Sequence, residues 1–233
     1  MQQTHLIYPE IFDEPAFAFF TGKAPGADTG LIAHMLGIPE DDIFMPVQRH
    51  TGRVVVYERG MERPEADAVI TDMDGVLLGV KVADCVPILL QDTVTGAIGA
   101  VHAGWRGTAQ GILKNTVMKM NEACGSNPED MLVAIGPAIR GCCYEVGRDV
   151  FEEVTKETGP GDYHETRDGR YFLDLPSANM HQALSLMVPF NNIWISGACT
   201  YDNPEKFNSF RRDKGSGRQG GFIGKSIMKN QEV

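Results

Sequence analysis

The sequence predicts an α/β fold: a single domain, residues 1–233, with mixed β-sheet flanked by helices. Three observations carry this. Four apolar runs in the middle of the chain, ADAVITD, VLLGVKVAD, VPILLQD and AIGAVHAG, follow one another with turn signals such as MDG and TVTG between them. They are continuously apolar, as strands buried on both faces are. The next segment, WRGTAQGILKNTVMKMNEACG, changes period: Ala109, Ile112, Leu113, Thr116, Val117 and Met120 fall on one helical face. Finally, strands and helices intermix with hairpin-length gaps, which favours a mixed sheet over a doubly wound parallel one.

Taken in order, the chain begins with a short apolar strand, AFAFF (16–20). PGADTGLIAHMLGIPED then predicts a short helix capped by Asp28 or Thr29 and ended by Gly37 and Pro39. RVVVYE (53–58) is β-branched and strand-like. In the helix after the apolar runs, Gly107 or Thr108 is the expected N-cap and Gly125 the stop. MLVAIGP and NIWISGAC read as strands. VGRDVFEEVTKETG and PSANMHQALSLM read as helices, the second with Pro176 at its first position.

Composition narrows the function classes. Hydrophobic residues at 42% and charged residues at 22% are ordinary globular values, which excludes general disorder. No apolar run reaches the ~20 residues of a membrane span, and the first residues do not read as a secretory signal. Five cysteines, an odd number, point to reduced thiols and a cytoplasmic protein. The net charge of −10 argues against a nucleic-acid or anionic-membrane surface. That charge is uneven: Lys206 to Lys229 holds seven basic residues and one acidic, a local +6, so the remainder carries −16.

Chemistry-bearing residues interrupt the apolar strands. Asp84 and Cys85 fall in a kink between two runs, and His102 ends the strand that a short hairpin joins to the second of them. Cys85 and His102 are therefore expected side by side, with His50 of PVQRHTGRVVV a third candidate. One thiolate and two imidazoles suit zinc or copper, and three protein ligands leave a position open, as in catalytic sites. The same residues also allow a metal-free reading, a Cys85–His102 nucleophile and base with Asp84 as orienter. Arg106, Gly107 and Thr108 at a helix start make a candidate anion site. FRRDKGSGRQGGFIGK, with its arginines and glycines, reads as phosphate-binding material or a solvated tail. In IGPAIRGCCYEVG, residues Cys142, Cys143, Tyr144 and Glu145 are candidate pocket walls; adjacent cysteines rarely bridge.

Six blocks, in order, carry a resemblance: DAVIT, ADCVPILLQD, IGAVHAGWRGTAQGI, IGPAIRGCCYEVG, LDLPSAN and YDNPEKFNSFRRDKGSGR. Together they resemble the YfiH-like laccase-domain family, also called multicopper polyphenol oxidoreductases and purine nucleoside phosphorylases, from about Gln48 to Ile223. The resemblance implies a YfiH-like α/β fold and a metal site of His50, Cys85 and His102. It further implies a zinc enzyme, copper being the other metal the ligands accept, that acts on purine nucleosides and inorganic phosphate. The implied reactions are phosphorolysis of adenosine, inosine and methylthioadenosine, and deamination of adenosine. On this reading Asp84 or Glu145 moves protons, and Arg106 with Arg211 or Arg212 holds phosphate. The family's usual QVH is Gln48-Arg49-His50 here, and its N-terminal arginine-bearing block is shortened, so Arg49 or Lys23 is the candidate replacement. The resemblance also leaves open a copper polyphenol oxidase and a Cys–His hydrolase of peptidoglycan precursors, and the residues alone also allow a nucleotide or metal sensor without turnover.

Overall fold

The structure is a computed structural model and describes residues 4–226; Lys229 of the basic segment lies outside them. The chain forms the strands β1 (Leu6–Ile7), β2 (Ala16–Thr21), β3 (Ile43–Phe44), β4 (Val54–Val56), β5 (Ala68–Thr71), β6 (Val76–Val82), β7 (Val86–Asp92), β8 (Ile98–Ala103), β9 (Met131–Ile135), β10 (Glu145–Val146), β11 (His164–Arg167), β12 (Arg170–Leu173), β13 (Ile193–Ile195) and β14 (Gln219–Lys225). Among the described residues five α-helices join them: α1 (Thr29–Leu36), α2 (Trp105–Ala109), α3 (Ile112–Cys124), α4 (Arg148–Thr158) and α5 (Leu175–Ser185).

Two sheets dominate. One has the order β1-β2-β14-β6-β3 and the other β13-β9-β7-β8-β5-β4; β10-β12-β11 form a small third sheet. Both large sheets mix parallel and antiparallel pairs, for example parallel β13 with β9 and antiparallel β7 with β8. The alternation of side chains explains the uninterrupted apolar runs. Val69, Leu89, Ala100 and Ala134 of the six-stranded sheet meet Phe20, Leu78, Val80 and Ile223 of the five-stranded one. Their neighbours Ile70, Ile88, Leu90, Val101 and Val133 face Ile112, Leu113, Val117 and Ala178 of the helices. Helix α1 covers the outer face of the five-stranded sheet with Ile32 and Ala33 against Phe19, Leu77 and Phe222. Strands with apolar layers on both faces need apolar residues at every position.

Several local expectations hold. Asp28 caps α1 by accepting from the Leu31 N–H, and Gly37 ends it in the left-handed conformation at φ 66°. Others are corrected. The predicted single helix after β8 is two helices. Gly104, not Gly107 or Thr108, is the N-cap of α2, and Gly111 at φ 64° breaks the chain before α3. Thr108 is buried inside α2, where its Oγ1 accepts from Asn179 and its carbonyl accepts from Gln182. It therefore contributes nothing to an anion site at a helix start. Pro176 is the second residue of α5, because Asp174 is its cap and Leu175 comes first.

The feature that positions the site is the segment 83–85. It carries the chain from β6 in one sheet to β7 in the other, and Asp84 takes φ 82° there. Positive φ costs a non-glycine residue about 1–3 kcal/mol and persists only where surrounding contacts impose it.

Asp174 joins two loops near that end of the sheets. It caps α5 through the Ser177 N–H and accepts from Arg140 Nε at 2.7 Å and the Gly141 N–H at 3.0 Å. Although burial opposes its charge, these donors hold the carboxyl below its ordinary value. A depressed carboxyl contributes stability that is full above its unfolded pKa and is lost as pH falls through the folded one. Asp174→Asn, which keeps a cap but leaves the Arg140 guanidinium without its charge partner, is expected to cost about 1.5–3 kcal/mol at neutral pH, as for a hydrogen bond to a charged group. The cost should shrink as pH drops below about 4; urea unfolding of both proteins across pH measures it.

Candidate active site

The hairpin of β7 and β8 sets Pro87 opposite His102, which brings Cys85, one step before β7, beside the imidazole. His50 comes from the loop before β4. The ligand atoms of His50, Cys85 and His102 lie within 4.8 Å of one another, and Cys85 Sγ is 4.0 Å from His50 Nε2. The two imidazole rings meet edge to face, with centroids 4.8 Å apart.

The organiser of this group is a residue that the sequence reading passed over. Asp67, fully buried just before β5, accepts from His102 Nδ1 at 2.7 Å and from the His50 N–H at 2.9 Å through Oδ1. Its Oδ2 takes the Thr51 N–H and hydroxyl and the Arg49 N–H. Burial opposes the charge, yet His102 and these donors hold the carboxyl far below its usual range. His102 is thereby fixed with Nε2 free for the triad. His50 is held at φ 59°, in the left-handed region. The signal for Asp67 was present in ADAVIT: a lone carboxylate at the edge of a fully apolar strand needs partners inside the protein.

Charge is focused on the triad. Burial raises the cost of a Cys85 thiolate, but His102 and His50 outweigh it and bring the thiol down to about 6. Burial likewise opposes a charged His102, while Cys85 and Asp67 raise it to about 9. Gly104 lies against the same group. A Cβ there would sit 3.0 Å from Cys85 Sγ and 3.1 Å from His50 Cδ2, so only glycine leaves this face of the triad clear.

The donor set fits a tetrahedral metal with one position open. Zn–S and Zn–N bonds of about 2.3 and 2.0–2.1 Å put ligand atoms roughly 3.3–3.6 Å apart, within reach of small side-chain rotations from the separations present. The contact from His102 to Asp67 is the carboxylate–histidine pairing that orients metal-binding imidazoles.

The triad opens onto a cavity of about 550 Å³, whose walls include Arg49, Arg63, Lys81, Arg218 and Phe210. Arg49 is at once on that wall and paired with Glu65 at 2.8 Å. Arg63 and Lys81 were not anticipated; a single lysine inside VLLGVKV was the available sign for the second.

Other expected residues fall elsewhere. Asp84, expected as a proton shuttle or orienter, has both oxygens engaged: Oδ1 accepts from Thr200 Oγ1, and Oδ2 from Ser209 Oγ and the Arg211 N–H. It anchors the C-terminal segment. Arg212, expected on phosphate, spends its guanidinium on the carbonyls of Thr200, Tyr201 and Phe207. Arg211 lies over the Tyr144 ring, 4.9 Å from its centroid, and donates to the Glu145 carbonyl. Burial pushes the Tyr144 phenol up, as does Cys85, with Arg211 and Arg106 acting the other way; these groups thus adjoin the triad without lining the cavity. Arg106 is exposed and covers Trp105 at 4.3 Å. Glu145 is exposed and pairs with Arg170 at 3.3 Å. Cys143 belongs to a different cluster, with Cys142 and Cys199.

Residues 27–226 match the family described as multi-copper polyphenol oxidoreductase laccase. The chain belongs to this family. Among relatives, it is 41% identical over 194 residues to a purine nucleoside phosphorylase of Deinococcus radiodurans, covering 83% of this chain and 74% of the relative. A purine nucleoside phosphorylase of Clostridium acetobutylicum is 41% identical over 185 residues, 78% of this chain and 76% of that one. The crystal structure of the Bacillus licheniformis hypothetical protein YfiH superimposes with a TM-score of 0.83 at 30% identity, covering 92% of this chain and 93% of that one. That of YlmD from Geobacillus stearothermophilus also gives 0.83, at 33% identity, over 91% and 94%. The mixed α/β single-domain fold is thus that of the family. Among the described residues no helix is long and apolar enough to cross a membrane.

Asp67→Asn keeps the shape of the side chain but removes the charge that orients His102. With Zn²⁺ as the probe and a competing chelator, it is expected to weaken retention by about 10–100-fold. Unchanged zinc affinity in a folded variant would remove Asp67 from this role.

Proposed function

We propose that this chain is a cytoplasmic zinc enzyme of purine nucleosides. It cleaves adenosine, inosine or methylthioadenosine with inorganic phosphate, and deaminates adenosine. The observation that carries the reading is the convergence of His50, Cys85 and His102 with four cationic side chains on one cavity of about 550 Å³, within the size range of small-ligand sites. The relatives that bear the name purine nucleoside phosphorylase support the substrate class. Five unpaired thiols support the compartment.

His50, Cys85 and His102 would hold the ion, which supplies Lewis acidity and makes water acidic near neutral pH. The chain's own groups do the rest. Arg49, Arg63, Lys81 and Arg218 hold a phosphate dianion at the cavity wall, in place of the Arg106, Arg211 and Arg212 set expected from sequence. Phosphate held there is positioned against the ribose C1′ as positive charge develops on the sugar. Phe210, 46% exposed on the same wall, offers an aromatic face for the purine ring. Asp67 keeps the His102 Nδ1 proton, so a bound ion would take the place of the proton at Nε2.

A second reading is favoured by one observation, the lowered Cys85 thiol beside His102. With His102 raised to about 9, the metal-free pair is a thiolate nucleophile beside an imidazolium that can give its proton to a leaving group, as in a hydrolase. Metal content separates the two, because a bound cation occupies the thiolate.

Purified protein incubated with adenosine, with and without phosphate, is expected to give adenine only with phosphate and inosine in either case, with zinc near one equivalent per chain at His50, Cys85 and His102. Phenol oxidation by copper-loaded protein, with no nucleoside turnover by zinc-loaded protein, would overturn the proposal. Arg218→Ala and Arg63→Ala are expected to raise the KM for phosphate about tenfold each, consistent with losing a charge-assisted bond, while inosine formation from adenosine without phosphate stays near wild type.

A further inference from the structure

A second cluster of metal-ligating atoms lies outside the triad. Cys142 and Cys143 follow β9, and Cys199 follows β13. These two strands run parallel as neighbours, Ile135 opposite Ile195, so their outgoing loops leave at the same end. An isolated bridge pairs Ala138 with Cys199, and the Thr200 N–H donates to the Ala138 carbonyl at 3.0 Å. The Arg140 N–H points at Cys199 Sγ from 3.5 Å. Cys142 Sγ and Cys143 Sγ are 3.1 Å apart, and all three sulfurs lie within 4.8 Å of one another.

We propose that Cys142, Cys143 and Cys199 form a three-sulfur site for a soft monovalent cation, Cu(I), independent of His50, Cys85 and His102. Neither imidazole nor carboxylate belongs to the cluster. An all-thiolate set selects soft ions, whereas structural zinc sites want four ligands. Three sulfurs around one ion at bonds of about 2.3 Å stand roughly 4.0 Å apart, wider than the 3.1 Å between Cys142 and Cys143 and inside the 4.8 Å that bounds all three. Access is graded: Cys199 is buried, Cys143 half-buried and Cys142 exposed. Cys142 also borders a separate cavity of about 240 Å³ that Arg167 shares. The Arg167 guanidinium reaches the Gly141 carbonyl at 3.4 Å and pairs with Glu165 at 2.7 Å, so an ion pair borders the cluster on this side. On binding, the ion replaces thiol protons, which pass to solvent; no oxidation is involved.

The test uses reduced, full-length protein under anaerobic conditions, with Cu(I) as the probe against a competing chelator. Cys142→Ser, an exposed position that the fold tolerates, is expected to lose one equivalent of bound Cu(I) relative to wild type; Cys143→Ser is expected to do the same. The triple variant His50→Ala, Cys85→Ser, His102→Ala is expected to keep that equivalent, and X-ray absorption of its copper should find sulfur neighbours alone. The proposal is overturned if Cys142→Ser and Cys143→Ser bind as many ions as wild type. Nitrogen or oxygen neighbours in that triple variant would overturn it too, as would a thiol count below five in the metal-free wild type. Because nucleoside turnover is not read, none of these outcomes depends on the function proposed above.

Discussion

Everything at the triad depends on one buried carboxylate. Asp67 has no access to solvent, and burying an ionised group costs several kcal/mol unless its lone pairs are filled. They are filled: three backbone N–H groups, one hydroxyl and one imidazole nitrogen converge on its two oxygens. The same set of bonds that keeps the charge tolerable also dictates the site. It fixes the His102 ring and pins residues 49–51. It holds His50 in a backbone conformation that few side chains adopt, and brings it to the sulfur of Cys85. An apolar residue at this position would leave five donors facing nothing.

A second buried carboxylate performs the complementary task from the other direction. Asp84 stands where the chain changes sheets, and its own oxygens hold Thr200, Ser209 and the backbone of Arg211. The positive φ at Asp84 aims that carboxylate, and the C-terminal segment is drawn onto the same end of the sheets as the triad. Part of the local +6 of the sequence is thereby used structurally: Arg212 is consumed in clamping loop carbonyls, while Arg218 stands on the cavity wall with Nη1 on the Ser216 and Gly217 carbonyls. The acidic remainder of the surface and the basic cavity coexist because the cationic groups are gathered by folding from distant stretches of chain.

The alternation of layers explains why the fold was so readable. Strands buried on both faces must be apolar throughout, and such runs separated by turn residues admit few readings. Helix ends with a side-chain cap and a left-handed glycine, as at Asp28 and Gly37, were equally plain. The break at Gly111 was not, because the apolar stripe from Ala109 to Met120 runs across it without a change of period. Periodicity reports which face is buried, not whether the backbone is continuous.

By itself, the sequence determined the mixed α/β architecture, the burial pattern of its strands and the residue types of the triad. These follow from local period and from polar residues set into apolar strands, both written in consecutive positions. Only the tertiary structure decided which carboxylate organises the histidines, which arginines face the cavity and which are spent on carbonyls, and that Cys199 joins Cys142 and Cys143. Those outcomes rest on contacts between residues far apart in the chain. Direction of a side chain, unlike its chemistry, is set by packing that no short segment contains.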